Sequence, residues 1–209
     1  MELTVKDIQT WLDNYSKVIE EKKDYLSELD TPIGDGDHGN NMARGMAEYK
    51  IAFDKKVPTT ITETFKVLSM ALISKVGGAS GPLYGTAFMN MTKATKDLET
   101  ISSPEQLKEI VQQGLAGIQM RGKAEPGDKT MVDVWAPVAE VIGTEQFNEE
   151  KIEQFAEATK DWVAKKGRAS YLGERAIGHI DPGAASSALL FEELEIGRAS
   201  CRERVLRLV

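Results

Sequence analysis

Apolar residues recur at helical spacing along almost the whole of this chain, and no window alternates apolar and polar residues between turn signals as a half-buried strand would. From Thr4 to about Leu29, the residues Ile8, Leu12, Tyr15 and Ile19 share one helical face with Trp11 beside them. Thr4 with Asp7 three residues later reads as a capping box with Asp in place of Glu. A second helix is predicted over Asn41–Phe53. A third opens at the capping pair Thr60 and Glu63 and carries Phe65, Leu68, Leu72 and Ile73. Gly77-Gly78-Ala79-Ser80-Gly81 breaks the pattern, and Pro82 suits the first turn of a helix through Phe88 and Met91 to about Asp97. Ser103 followed by Pro104 opens a helix to about Met120, and another spans Thr130–Val141. Asn148 caps a predicted helix through Ile152, Phe155 and Trp162 to Lys166, and Asp181-Pro182 opens the last, Ala185 to about Leu194. About eight helices with short connections predict an all-α fold, a bundle or closed ring of antiparallel neighbours.

Bulk properties narrow the function classes. A chain of 209 residues fits one domain. A net charge of −7 leaves no basic surplus for a nucleic-acid backbone, so no nucleic-acid partner is expected. Cys201 is the only cysteine, which excludes an internal disulfide and a thiolate zinc site. With no apolar run near the length of a membrane span, and no basic-then-apolar N-terminus, the chain is expected in the cytoplasm without a membrane partner.

The chemistry is concentrated in Asp30-Thr-Pro-Ile-Gly-Asp35-Gly-Asp37-His38-Gly39-Asn40-Asn41. Three carboxylates within eight positions, with no lysine or arginine among them, are costly to hold together unless a cation lies between them. All-oxygen ligation suits a hard divalent ion, Mg²⁺ first. Gly34, Gly36 and Gly39 spell G-x-G-x-x-G, but no strand precedes them and two aspartates would face the pyrophosphate. An EF-hand reading from Asp35 puts Asn40 at the obligatory glycine and Met46 at the bidentate glutamate. The irregular connections follow the first, third, fifth and seventh helices. In an up-and-down ring, Asp30–Asn41, Gly77–Gly81, Gly122–Thr130 and Gly167–Asp181 therefore share one end. Backbone N–H groups at Gly77–Ser80, with Lys166 and Arg168, suit phosphate oxygens, and the assembly reads as a Mg²⁺–nucleotide site without a P-loop or protein-kinase signature. His179, in a loop, reads as structural.

Five motifs in order then resemble one family. They are Gly34-Asp-Gly-Asp-His-Gly39, Gly77-Gly-Ala-Ser-Gly-Pro-Leu83, Arg121-Gly-Lys-Ala-Glu-Pro-Gly-Asp-Lys-Thr-Met131, Lys166-Gly-Arg-Ala-Ser-Tyr-Leu-Gly-Glu-Arg175 and Gly178-His-Ile-Asp-Pro-Gly183. Together they resemble the DhaL family, the ADP-binding subunits of dihydroxyacetone kinases coupled to the bacterial phosphotransferase system. The resemblance covers about residues 5 to 193 and implies a barrel of eight antiparallel helices with the nucleotide at one rim. It implies two Mg²⁺ ions on Asp30, Asp35 and Asp37. Nucleotide contacts are implied at His38, Gly39, Asn40, Asn41, Ala79, Ser80, Gly122, Met131, Arg168, Asp181, Pro182 and Gly183. It also implies ADP kept as a prosthetic group, rephosphorylated in place to ATP by a phosphohistidine of DhaM and serving dihydroxyacetone held on DhaK, with a transcriptional regulator as a further partner. His38 is then a nucleotide contact and not a base. An ATP-dependent kinase domain of the dihydroxyacetone or fatty acid kinase type, or a nucleotide-sensing module, are the rival readings.

The end departs from that family. Residues 195–209 add four arginines and the cysteine, Glu195-Ile-Gly-Arg-Ala-Ser-Cys-Arg-Glu-Arg-Val-Leu-Arg-Leu-Val209, and read as a foreign tail after a domain of residues 1–194, with a shortened last helix as the consequence.

Overall fold

The computed structural model describes the backbone of residues 2–206 and the side chains of residues 2–195. Eight α-helices follow in order: α1 (Val5–Asp30), α2 (His38–Lys55), α3 (Ile61–Lys75), α4 (Ser80–Ala94), α5 (Pro104–Gly122), α6 (Val132–Val141), α7 (Glu149–Ala158) and α8 (Pro182–Leu206). Two 3-10 segments, Thr159–Asp161 and Arg168–Ala176, lie between α7 and α8. Each helix packs on the next, and α8 returns to pack on α1, which closes the ring. Among the described residues the sole β feature is an isolated antiparallel bridge between Leu3 and Ile101.

The caps expected from sequence form as hydrogen bonds. Thr4 and Asp7 make the reciprocal box, and Thr60, Ser103 and Asn148 each accept from the backbone N–H three residues on. Glu63 reaches back one residue further than a capping box requires, to the N–H of Thr59.

The ring interior is solid. Trp11, Phe65, Phe88, Trp135 and Phe191, from α1, α3, α4, α6 and α8, form a chain of tilted and edge-to-face pairs with centroids 4.9–6.5 Å apart. All five are buried, and their burial together with the aliphatic residues around them supplies the main drive for closing the ring. Most polar atoms that enter this interior are paired, the Tyr49 hydroxyl being an exception. Trp11 Nε1 donates to the Leu190 carbonyl, Trp135 Nε1 to Ser187, and the Tyr84 hydroxyl lies 2.7–2.8 Å from Ser186 and Ser187.

Several boundaries differ from the sequence expectation. Helix α2 begins at His38 and not Asn41, because the N–H groups of Asp37 and His38 are taken up by the Asp30 carboxylate and the turn starts there. Helix α6 begins two residues later than Thr130, since the Thr130 N–H is held by Asp133. Helix α7 stops at Ala158 instead of reaching Lys166. The buried Thr159 hydroxyl donates to the Ala156 carbonyl and accepts from the Asp181 N–H, a tertiary contact that turns the chain. Helix α8 begins at Pro182 and continues past Leu194 to Leu206; Glu195, Ala199, Arg202, Glu203 and Arg204 are good helix formers. The side chains on which the foreign-tail reading rests lie outside the described residues.

Candidate functional site

In a ring of alternating direction, odd helices end and even helices begin at one rim. A cleft opens there, lined by Asp30, Asp35, Asp37, His38 and Asn41 after α1, Gly77–Ser80 after α3, Thr130 and Met131 after α5, and Lys166–Ala169 with Asp181–Gly183 after α7. All four connections singled out in the sequence contribute. The N-terminal ends of α2, α4, α6 and α8 thus gather on one cavity, and their dipoles favour an anion. Asp30 instead sits at the last position of α1, where a carboxylate adds to the negative helix end and a cation is favoured. Cation and anion preferences therefore stand side by side.

The acidic cluster is held by its own backbone. One Asp30 carboxylate oxygen accepts from the N–H groups of Asp37 (3.0 Å) and His38 (3.2 Å), which leaves the other oxygen for a ligand. Gly34 permits this fold of the loop, since a Cβ there would lie 1.9 Å from an Asp30 carboxylate oxygen. One oxygen from each of Asp30, Asp35 and Asp37 lies within 4.8 Å of the others, a spacing that a divalent ion with oxygen ligands can bridge. The sequence shows no cation inside this stretch, yet the fold delivers one: Arg168 forms an ion pair with Asp35.

His38 is buried and clamped from both sides. Its Nε2 is 2.9 Å from the Ser186 hydroxyl and its Nδ1 3.1 Å from the Ser80 hydroxyl. Burial lowers its pKa to about 4 against the opposing pull of Asp37, so the ring is neutral at pH 7. Asp181 is also perturbed. Burial raises its pKa to about 7, against the N–H of Ala184, which its carboxylate accepts at 2.7 Å; the Asp133 and Asp30 charges add to the rise and Lys129 opposes it.

Next to the polar cleft lies a second compartment lined by Pro82, Leu83, Ile118, Arg121, Gly122 and Ala124. It shares Ala79, Leu83, Thr130, Met131, Lys166 and Gly167 with the first. The carboxylates are confined to the first, and the aliphatic walls dominate the second. The pair suits a ligand with a charged phosphate end and a flat apolar end.

Thirteen of the fifteen predicted site residues line these compartments: Asp30, Asp35, Asp37, His38, Asn41, Ala79, Ser80, Gly122, Met131, Arg168, Asp181, Pro182 and Gly183. Gly39 and Asn40 do not. Gly39 is buried against α1, where a Cβ would lie 1.8 Å from the Lys23 carbonyl, and Asn40 faces solvent. Asn41 meets its neighbours through its carbonyl oxygen, which accepts from Arg44. Ile33, Leu83, Ile118 and Ala124 line the site without having been singled out. A lone aliphatic residue carries no local signature of a binding wall.

The sequence matches the DAK2 domain over residues 32–195. It is 54% identical over 184 residues to the "PEP-dependent dihydroxyacetone kinase 1, ADP-binding subunit DhaL" of Listeria innocua, covering 88% of this chain and 92% of that one. It is 50% identical to the "PTS-dependent dihydroxyacetone kinase, ADP-binding subunit DhaL" of Lactococcus lactis, covering 92% and 97%. With the Escherichia coli "PEP-dependent dihydroxyacetone kinase, ADP-binding subunit DhaL" the identity is 40%, over 94% and 98%. The crystal structure of the dihydroxyacetone kinase of C. freundii superposes with a TM-score of 0.71 at 22% identity, over 90% of this chain and 34% of that chain. At that identity the superposition speaks for the fold alone.

Proposed function

Because this chain belongs to the DAK2-domain family, in its DhaL branch, we propose that it is the ADP-binding, phosphoryl-transfer subunit of a dihydroxyacetone kinase coupled to the phosphotransferase system. The observation that carries the reading is the cleft that sets Asp30, at the negative end of α1, with Asp35 and Asp37 beside it, among the N-termini of α2, α4, α6 and α8. The donor set fits magnesium: three carboxylates with oxygens in mutual reach, one of them pre-oriented by two N–H groups. Asp30, Asp35 and Asp37 would hold two Mg²⁺ ions. Bound there, magnesium would offset nucleotide phosphate charge and spread the charge that develops as the phosphoryl group moves.

The chain's own residues bind and orient. Backbone N–H groups at Ala79, Ser80 and Gly183 receive phosphate oxygens. Arg168 exchanges its pairing with Asp35 for phosphate, and Lys166 stands where the polar and apolar compartments meet. Leu83, Ile118, Ala124 and Met131, with Gly122, wall the base. His38, neutral and fixed between two hydroxyls, is a contact and supplies no charge. Donor and acceptor both reach the rim from outside, as the phosphohistidine of DhaM and as dihydroxyacetone on DhaK. No general base is therefore required of this chain, and activity depends on those partners. ADP stays bound between turnovers, and the subunit works in the cytoplasm. Residues 195–209 take no part; the family match ends at residue 195.

The test is to purify the protein without added nucleotide, denature it, and run the supernatant on an ion-exchange column. Near-stoichiometric ADP is the expected result. A protein that emerges empty and exchanges added ATP rapidly is an ATP-dependent kinase domain instead, and one that binds neither nucleotide refutes the assignment.

A further inference from the structure

The largest charged side chain with no exposure at all is Lys129, which no step above uses. It lies between the rim residues Asp128 and Thr130, in the left-handed region at φ 60°, where a non-glycine residue is strained unless its surroundings hold it there. Its ammonium donates to three backbone carbonyls, of Trp162 (3.1 Å), Ala176 (2.7 Å) and His179 (2.7 Å). An ammonium has three donors, so the group is fully satisfied without a carboxylate in contact. Burial lowers its pKa, and the nearby charges of Asp181 and Asp161 oppose that.

The three carbonyls come from the two ends of one segment, residues 162–179. That segment carries Lys166, Gly167 and Arg168 to the cleft. Two polar ties hold its ends and middle besides: Arg168 pairs with Asp35 in the cleft, and the Gly178 N–H donates to the Lys160 carbonyl at 2.8 Å. The segment's apolar contacts are a satellite cluster of Ile33, Ala164, Ala169 and Ala176 with Leu172 alongside, separate from the main core and built chiefly of alanines. Alanine burial offers little area per residue, so ordering an eighteen-residue connection needs another source of free energy. The remaining ties to the loop before α6 are the Lys165 N–H on the Asp128 carbonyl at 3.0 Å and an exposed Lys165–Asp128 pair at 3.8 Å. An exposed pair at that distance contributes little.

We propose that Lys129 is a positioning residue: its caged ammonium pins the 162–179 segment shut over the cleft, holds Lys166 and Arg168 at the phosphate end, and so slows release of the nucleotide. The second half rests on the nucleotide reading above; the tether itself does not. Lys129 also adjoins Thr130 and Met131, which line the same cleft. One side chain therefore ties the loop before α6 to the 162–179 segment.

The experiment compares Lys129→Met, which keeps the stem and removes the charge, with wild type. Limited trypsin digestion well below the melting temperature is read by mass spectrometry, and MgADP dissociation is followed in parallel. Loss of three charge-assisted hydrogen bonds should speed cleavage after Lys165, Lys166, Arg168 and Arg175 by about tenfold or more and raise the MgADP off-rate by a similar factor. Cleavage in α1–α5 should stay at the wild-type rate, which general destabilisation would not leave unchanged. Segment cleavage at the wild-type rate overturns the tether. Faster cleavage with an unchanged off-rate overturns the positioning role. A wild-type protein that binds no MgADP, beside a variant cleaved as expected, defeats the nucleotide reading and leaves the tether standing. Should the variant not fold, the wild-type lysine ammonium signals decide. A caged Nζ exchanges its protons slowly at pH 7, and absence of any such signal overturns the proposal.

Discussion

Asp37→Asn separates ligand binding from folding at this site. The Asp37 side chain is exposed and makes no cap hydrogen bond, and asparagine serves equally well at that N-cap, so the change removes charge and little else. Its carboxylate can approach those of Asp30 and Asp35 to within 4.8 Å. Two unit charges at such a distance repel by about 1 kcal/mol even at the dielectric constant of water. Arg168 offsets most of the Asp35 contribution, which leaves chiefly Asp30. Against the relief stands the lost attraction between a negative charge and the N-terminus of α2, about 0.3–1 kcal/mol. The balance in metal-free protein lies between no change and a gain of about 0.7 kcal/mol, or a rise of at most about 3 °C in melting temperature for a chain this long. Wild type with MgADP at one hundred times its dissociation constant should gain about 2.7 kcal/mol. The variant should show none of that gain. The assay is a thermal melt in EDTA, in Mg²⁺, and in Mg²⁺ with ADP. A variant that keeps the wild-type MgADP shift refutes the assignment of Asp37 as a metal ligand. One that melts well below wild type in EDTA refutes the charge argument.

Three further outcomes are expected. Gly39→Ala places a Cβ 1.8 Å from the Lys23 carbonyl and must part α2 from α1; urea unfolding should show a loss of about 3 kcal/mol or more. Trp135→Leu removes an indole packed on Phe88 and Phe191 and should cost about 3 kcal/mol by the same measurement. Asp181, with its pKa raised to about 7, binds a proton in the folded protein that the unfolded chain releases near pH 4. The stability it contributes is complete below that pH and is lost as pH rises through about 7. Ligand-free protein should therefore lose stability between pH 4 and 7, and Asp181→Asn should flatten that slope; Glu192, also near 7, adds to it with the same sign. An unchanged slope in the Asp181 variant would show that its carboxylate is ionised throughout.

The sequence alone determined the helices and the ends that face one another. Local signals suffice for that: spacing at 3.6 residues, and caps at Thr4, Thr60, Ser103 and Asn148 that need only neighbours three residues away. Alternation of direction then puts four irregular connections at one rim, and the density of carboxylates in one of them points to a cation. What lay out of reach depends on contacts between residues far apart in the chain. Helix α7 ends where Thr159 meets Asp181, across 22 residues, although the apolar spacing continues to Trp162. Asp35 acquires a counter-charge from Arg168, so the loop that reads as uncompensated is partly balanced in the folded chain. Gly39 belongs to the same motif as the metal ligands but is fixed by the approach of α1, and no local pattern separates a glycine kept for a ligand from one kept for a backbone. Lys129 reads as one more surface lysine in a polar loop. Only folding brings three carbonyls from residues 162, 176 and 179 around it, because a buried charge is tolerated where tertiary structure supplies every partner it needs.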